Sequence, residues 1–499
     1  MPDERTASER LRLRITESLL GLAEQLPHVD RGPLARLQHI QRHRRTVAKE
    51  HFGCTRPPEY TAVRLDQCRL FEVFQREQEA MLARRLRNMF AGADRSQELI
   101  ADFFGCPRGL SGKSSSAVGT LTRSGAVFPK SMSMWKHVPG LPAEIESISV
   151  SLDRLLPSLT LASFDVRLSD RATKRLGEIQ KTCYLPEVIF SSFVPIGRRA
   201  ASYSTRYPEA VSGAAAMNWR LKLQRQIEAV LNPLLFGYFG GNRTPLPALD
   251  VFSLAGMPSN SEEYENWVRI SAAWLGSVGV LRYPGLSTFR RDRVIFNLHV
   301  QEHREETILI HEVFLPEQDD PAQKLVVEDD VLDDLSPVIL WDYLADMEIR
   351  LFALAGTVYS RITPRRWSRL GSDIRLSKAA MQVAMLAERM QTELGDQSAL
   401  LERHFRALEG FTRTMPIPGA RENLHAALFP GLQAKTEQVR KYAELTMRAL
   451  SQHVAIRNTQ VILRLQRQSL LLALIVTVAT LLLLWANWDQ IARAFHYKF

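Results

Sequence analysis

The run from Leu470 to Trp488, LLLALIVTVATLLLLWANW, constrains this chain more than any other stretch. It contains no charge, and its first polar interruptions are Thr477 and Thr480. A helix needs about 20 mostly apolar residues to cross the hydrocarbon core of a bilayer. The run is therefore long enough to span once, with Leu470, Leu474, Val478, Leu482, Trp485 and Trp488 as its lipid-facing candidates. Eleven residues follow Trp488, so nearly all the chemistry of the chain is expected on one side of a membrane.

The N-terminus, MPDERTASERLRLR, is too charged for a secretory signal. A span at the back with no signal in front predicts a tail-anchored, single-pass protein. Arg457, Arg464 and Arg467 precede the span, and Arg493 and Lys498 follow it beside Asp489. That bias places the N-terminal bulk in the cytoplasm. Cys54, Cys68, Cys106 and Cys183 have neither metal-type spacing nor a disulfide-rich pattern, which fits packing residues in a reducing compartment.

At 499 residues the chain is too long for one ordinary core. The expected fold class is α+β: N-terminal helices, a central antiparallel α+β domain, and a C-terminal helical region with a long stalk helix and one transmembrane helix. Residues 1–104 read as helical, with apolar recurrence over Leu11, Ile15, Leu19 and Leu22, and again over Leu70, Phe71, Phe74, Met81, Leu82, Leu86 and Met89. Residues 105–141, rich in Gly, Ser and Pro, read as a linker. The α+β domain covers 142–334. Its strands announce themselves where Ile148, Val150 and Leu152 alternate with serines, and where Ala162, Phe164, Val166 and Leu168 alternate with polar residues. Ser169 or Asp170 opens a helix, and a second helix is expected over Ala214–Phe239. Val294–Val300 and Ile308–Leu315 form a hairpin with its turn at 304–305, which sets His311 opposite Leu298.

Residues 335–432 read as helical. A stalk helix is expected to start after Pro430, cover 433–468 and run unbroken into the span at 469–488, leaving a tail at 489–499. Ala443, Met447, Leu450, Val454, Asn458, Val461 and Leu465 fall at three-, four- and seven-residue steps, which makes a self-association seam. A single polar Asn458 in such a seam is the kind of residue that fixes register and partner number. From Gln433 to Ala486 the helix would measure ~80 Å.

Four clusters invite chemistry. Gly109-Leu110-Ser111-Gly112-Lys113-Ser114 has Pro107 where a phosphate loop needs its first glycine, and no helical pattern follows it, so a flexible loop is favoured. His299, His303 and His311 lie among four glutamates, but the hairpin register keeps them from converging on a metal. Eight carboxylates between Glu317 and Asp334, against Lys324 alone, lack calcium-loop spacing and read as a solvated acidic loop. Arg42, Arg44, Arg45 and Lys49 form a basic stretch. An anion contact there would be with anionic lipid rather than nucleic acid, given the anchor. The net charge of +10, with 52 Arg to 12 Lys, suits such a surface. No nucleophile elbow, triad or carboxylate pair gives a positive signal for an enzyme, and no cofactor or metal is expected.

The order of an α+β domain to about Leu315, helices after Pro337, and one long helix from Gln433 to Trp488 resembles CorA-type magnesium channels. In that family a cytoplasmic α+β domain precedes a stalk helix that runs directly into the membrane. The resemblance implies an oligomeric funnel. The Gly-Met-Asn signature of the family is absent, with Ala486-Asn487-Trp488 in its place, and the second span is missing. The expected function is thus a membrane-anchored, non-enzymatic sensor, scaffold or effector that forms homo-oligomers. A channel or pore-forming effector, or a tethered enzyme with a site that motifs do not reveal, are the alternatives.

Overall fold

The computed structural model describes residues 7–29, 33–55, 63–106, 115–123, 134–156, 158–190, 203–255, 286–290, 294–298, 310–316, 331–362, 405–414 and 421–487, with residues 263, 385, 402 and 403 besides. In chain order the elements are α1 (Ala7–Gln25), α2 (Pro33–Thr55), β1 (Val63–Gln75), α3 (Glu79–Met89), α4 (Asp94–Gly105), β2 (Ser115–Thr122), β3 (Trp135–His137), β4 (Ile145–Leu156), β5 (Leu159–Leu168), α5 (Asp170–Lys181), β6 (Glu187–Phe190) and β7 (Tyr203–Arg206). There follow α6 (Pro208–Leu231), α7 (Tyr238–Gly241), β8 (Ala248–Leu254), β9 (Leu286–Arg290), β10 (Val294–Leu298), β11 (Ile310–Pro316), α8 (Val338–Ile362), β12 (Thr412–Thr414), β13 (Arg421–Asn423) and α9 (Leu424–Ala486). The fold is α+β, as expected.

The chain forms two compact units. The first comprises Met1–Leu344 with Gln397–Leu432, the second Ala345–Asp396 with Gln433–Phe499, so one boundary falls within α8 and another within α9. The first unit is built on a mixed sheet in the order β13-β12-β9-β10-β11-β8-β1-β5-β4-β2-β3. Among the described strands only β8–β11 and β2–β3 pair in parallel; the other described pairs are antiparallel. β12 and β13, in a region expected to be helical apart from an interruption at Pro416 and Pro418, extend one edge of this sheet.

β1 corrects the expected helix at Leu70. Leu70 and Phe74 lie on one side of the strand and Phe71 and Val73 on the other, and all four are fully buried. A central strand covered on both faces loses its alternation and becomes a continuous apolar run, which periodicity cannot separate from a buried helix. The helical spacing holds only from Glu79 onward, where Leu82 and Leu86 of α3 are buried. β2 and β3 likewise fall within the stretch expected to be a linker. The sequence SSAVGTLT has too few large apolar residues to look like a strand, yet it pairs along β4 from Ser115 to Thr122. Its Gly119 is required there: a Cβ would lie 2.7 Å from the Phe90 ring and 2.8 Å from Met134 O.

β4 and β5 form the expected hairpin, with Ile148, Val150, Phe164 and Val166 buried. Ser169 stands at the N-terminal cap position of α5, but its hydroxyl donates to Ala143 O (2.8 Å) and not to the helix. The helix expected to run to Phe239 stops at Leu231. Asn232-Pro233 interrupts it, and the short α7 follows. β10 and β11 pair with Ile295 opposite Phe314 and Phe296 opposite Val313, a register that sets Leu298 opposite His311.

The α1–α2 hairpin packs on the β6–β7 ribbon through Leu20, Val188 and Phe190, with Leu37 and Ile40 alongside. Gln38 closes α1: its amide nitrogen lies 3.0–3.1 Å from the carbonyls of Ala23, Leu26 and Pro27. Those carbonyls would otherwise end the helix without partners.

Candidate functional site

α9 begins about two turns earlier than expected. Asn423 Oδ1 accepts from Ala426 N (2.7 Å), a side-chain cap that starts the helix ahead of Pro430. Pro430 then removes only one backbone bond, close to the helix start. The next 56 residues of this 63-residue helix contain no further proline. Its total length is ~95 Å.

Within it, Ile462–Ala486 is long and apolar enough to cross a membrane, with mean hydropathy 2.5 over its most apolar 18-residue stretch, none of which is buried by the described residues. Leu470 and Trp485 are 70% and 79% exposed, and Leu474, Val478 and Leu482 are exposed as well. Trp488 lies outside the described residues. Thr477 and Thr480 donate their hydroxyls to Ala473 O (2.8 Å) and Val476 O (2.7 Å), so the only polar side chains in the middle of the segment are satisfied by their own helix. Soluble surfaces rarely leave an apolar stretch of this size in water. Along the seam, Met447 and Leu465 are exposed. Ala443, Leu450, Val454, Asn458 and Val461 are helical, but their side chains lie outside the described set.

The basic stretch is divided by the packing of α2. Arg44 is buried: Nε donates to Pro186 O (2.6 Å), Nη2 to Glu17 (2.6 Å) and Nη1 to Gln41 (2.9 Å). It holds α2 to α1 and to the end of the 182–186 connection, and it is not available to an outside anion. Arg45 forms an ion pair with Glu24. Arg42 and Lys49 remain exposed, and Arg36, His39 and His43 join them on the outer face of α2. Of the four expected anion contacts, then, Arg44 is buried and structural, Arg45 is exposed but paired with Glu24, and Arg42 and Lys49 face solvent.

The charges that the sequence did not reveal lie at the centre of the sheet. Register aligns Cys68 of β1 with Asp250 of β8, and Asp250 with Glu312 of β11. Above this row Arg220 of α6 donates from Nε to Asp250 (2.5 Å) and from Nη2 to Glu312 (3.0 Å). All three side chains are at most 4% exposed. Burial works against the charge on Arg220, but Asp250 and Glu312 more than offset it and hold the guanidinium above the ordinary arginine range. Burial, with Asp250 beside it, pushes the Cys68 thiol well above its usual range, so it is inert as a nucleophile. On the opposite face Arg69 pairs with Asp165 and Asp333, and His311 Nε2 lies 2.8 Å from Asp342 of α8. The space among Leu65, Cys68, Arg220 and Asp250 is too small for a water molecule. This arrangement locks strands to helices and offers no room for a substrate. Its one trace in the sequence is a charge inside each of two apolar runs, ALDVFSL and IHEVFLP.

Glu72 is a second buried carboxylate. It accepts from Val73 N (3.1 Å), Phe239 N (2.8 Å) and Gly240 N (2.8 Å), and so ties α7 to β1. Burial lifts it up to about 7, against the lowering pull of those amides. The folded chain therefore holds a proton between pH 4.5 and about 7 that the unfolded chain has lost. The Glu72 contribution to stability is complete below 4.5 and is lost as pH rises to about 7. The loss is about 3 kcal/mol at most. Thermal unfolding followed across that window should show the first unit weakening as pH rises. In Glu72→Gln that slope should flatten, with lower stability at acid pH, because the amide cannot accept from Gly240.

Among the described residues no group of three or more His, Cys, Asp or Glu has metal-holding geometry. His299, His303, residues 317–330 and the loop around Lys113 lie outside the described set, while Asp333 is engaged by Arg69. Cys106 and Cys183 are exposed free thiols. With the geometry of α9 and of the sheet in view, comparison with protein-family models, with curated proteins and with solved structures finds no match to this chain.

Proposed function

We propose that this chain is a membrane-anchored, non-enzymatic sensor or effector, held in the bilayer by the C-terminal part of α9. Its first unit lies in the cytoplasm, and copies associate through the α9 seam. The observation that carries the reading is the uncovered apolar segment Ile462–Ala486, with Arg464 and Arg467 at its N-terminal end. Long cationic side chains at the edge of a span reach the headgroups, and cations favour the cytoplasmic side. The exposed cations of α2 suit the anionic inner leaflet. A channel of associated spans is the less favoured reading, since the Thr477 and Thr480 hydroxyls are spent on the helix backbone and leave no polar row to line a conduit.

The test is membrane fractionation followed by solution assembly. Full-length chain should stay in the membrane pellet through an alkaline wash; release into the supernatant would refute the anchor. In detergent, light scattering should give a mass of two or more chains, reduced by Asn458→Lys. A monomer at every concentration would refute the seam.

A further inference from the structure

Where α6 ends, the chain doubles back through α7 and leaves an open groove of about 690 Å³ between α6, α7 and the segment entering β8. We infer that this groove is a binding site for a phosphate-bearing small molecule, held by Arg225 and Arg243. The inference does not depend on the membrane reading.

The first observation is conformational. Arg243 has φ 58°, in the left-handed region, and it is the only non-glycine residue with positive φ among the described residues. It closes the C-terminal turn of α7, where Arg243 N donates to Gly240 O (3.1 Å) and Thr244 N to Phe239 O (3.0 Å). Glycine takes this position at no steric cost, whereas an L side chain costs roughly 1–2 kcal/mol. The turn itself has no use for the arginine. Strain of this kind points to the side chain it keeps in place.

The second observation is electrostatic. Arg225, on the groove-lining part of α6, and Arg243 are both exposed, and neither side chain has a hydrogen bond or ion pair among the described residues. By contrast, Arg44, Arg69 and Arg220 are held in internal pairs. The one carboxylate lining the groove, Glu228, is turned inward. It accepts from Gln224 Nε2 (3.2 Å) and Leu246 N (3.4 Å), and burial lifts it above the usual carboxylate range. Arg225 acts on Glu228 electrostatically, but no hydrogen bond or ion pair joins them among the described residues, so the donors of both guanidiniums face the groove's opening.

Two guanidiniums with the Asn232 side chain along the same groove match the oxygens of a phosphate dianion better than a single carboxylate. A volume of about 690 Å³ exceeds what inorganic phosphate fills, so the ligand carries an organic body. The floor of the groove is fixed. Gly240 N donates to Glu72 Oε2 (2.8 Å), which ties α7 to β1, and a Cβ at Gly240 would lie 2.6 Å from Leu235 O and 2.7 Å from Glu72 Oε2, so only glycine fits this close approach. The phosphate could belong to a soluble metabolite or to a lipid headgroup, and the chemistry is shared.

The test uses full-length chain in neutral detergent, with thermal unfolding of the first unit as readout. Millimolar pyrophosphate should raise the midpoint by several degrees over chloride of matched ionic strength. Phosphatidate in mixed micelles, compared with phosphatidylcholine, is the lipid arm. Arg243→Gly should raise the midpoint without ligand, because the strain is gone, and abolish the response. Arg225→Gln should abolish the response with the unliganded midpoint unchanged. A response to pyrophosphate assigns a soluble source, and one confined to phosphatidate assigns a headgroup. The inference is overturned if neither probe raises the midpoint, or if the rise survives both substitutions.

Discussion

Arg220→Met is expected to leave no stably folded sheet. The guanidinium is 1% exposed and is shared between Asp250 and Glu312, which are 4% and 0% exposed. Methionine fills much of the same space without charge, so the loss isolates the electrostatics from the packing. Removing one partner of a buried pair costs about 3–5 kcal/mol, because the other charge is left without compensation. Here two carboxylates are stranded on adjacent parallel strands. That is comparable to the whole stability of an ordinary domain, about 5–15 kcal/mol. Soluble yield and the cooperative circular-dichroism transition should both collapse. Arg220→Met with Asp250→Asn and Glu312→Gln should recover much of the transition, since neutral side chains of similar shape carry a far smaller burial cost. A single Arg220→Met variant that melts close to the parent would show that the triad is not what fastens α6 to β8 and β11.

That triad also shows where sequence reading stops. The serine alternation of β4 and the polar alternation of β5 are periodic, and the period survives in the linear sequence because large apolar side chains fill one face of each strand and smaller or polar ones the other; α9 is legible because no proline interrupts it after Pro430. The register that sets Leu298 opposite His311 follows from the same alternation. β1 has no such contrast: apolar neighbours cover both faces, so Leu70, Phe71, Val73 and Phe74 carry no strand period. β2 fails for the opposite reason, since Ser115, Ser116 and Gly119 supply too little apolar side chain to mark a strand. The candidate charges fail for a third. Arg44 and Arg45 stand beside Arg42 in sequence and resemble it, but the packing of α2 on α1 buries Arg44 against Glu17 and pairs the exposed Arg45 with Glu24. Arg220 finds its partners 30 and 92 residues away. The pairing of a charge is a property of three-dimensional neighbours, and no local pattern encodes it. The groove at Arg243 is invisible for the same reason. Its informative feature is a backbone angle, and GGNRTP reads only as a turn.

Replacing both Leu474 and Val478 with arginine is expected to release the chain from membranes. The two positions are one helical turn apart near the middle of the uncovered segment, and they are 63% and 47% exposed. An arginine at the centre of a span costs roughly 2.5–3.5 kcal/mol on insertion scales, so the pair costs roughly 5–7 kcal/mol. Arg464 and Arg467 escape most of this cost because they sit at the end, within reach of the headgroups. The substitutions should not harm the fold. Arginine forms helix about as readily as leucine, and no described residue packs on either side chain. The double variant should therefore appear in the soluble fraction with the thermal transition of the first unit unchanged. Leu474→Ile with Val478→Leu, which keeps the apolar character, should remain in the alkali-resistant pellet. If the double arginine variant stays in that pellet, α9 is not the anchor. The exposed leucines from 470 to 484 would then belong to a contact between copies of the chain, in which arginine would instead disrupt the assembled mass seen in solution. Fractionation and mass, measured on the same preparation, separate a helix that lipid covers from one that a second copy covers.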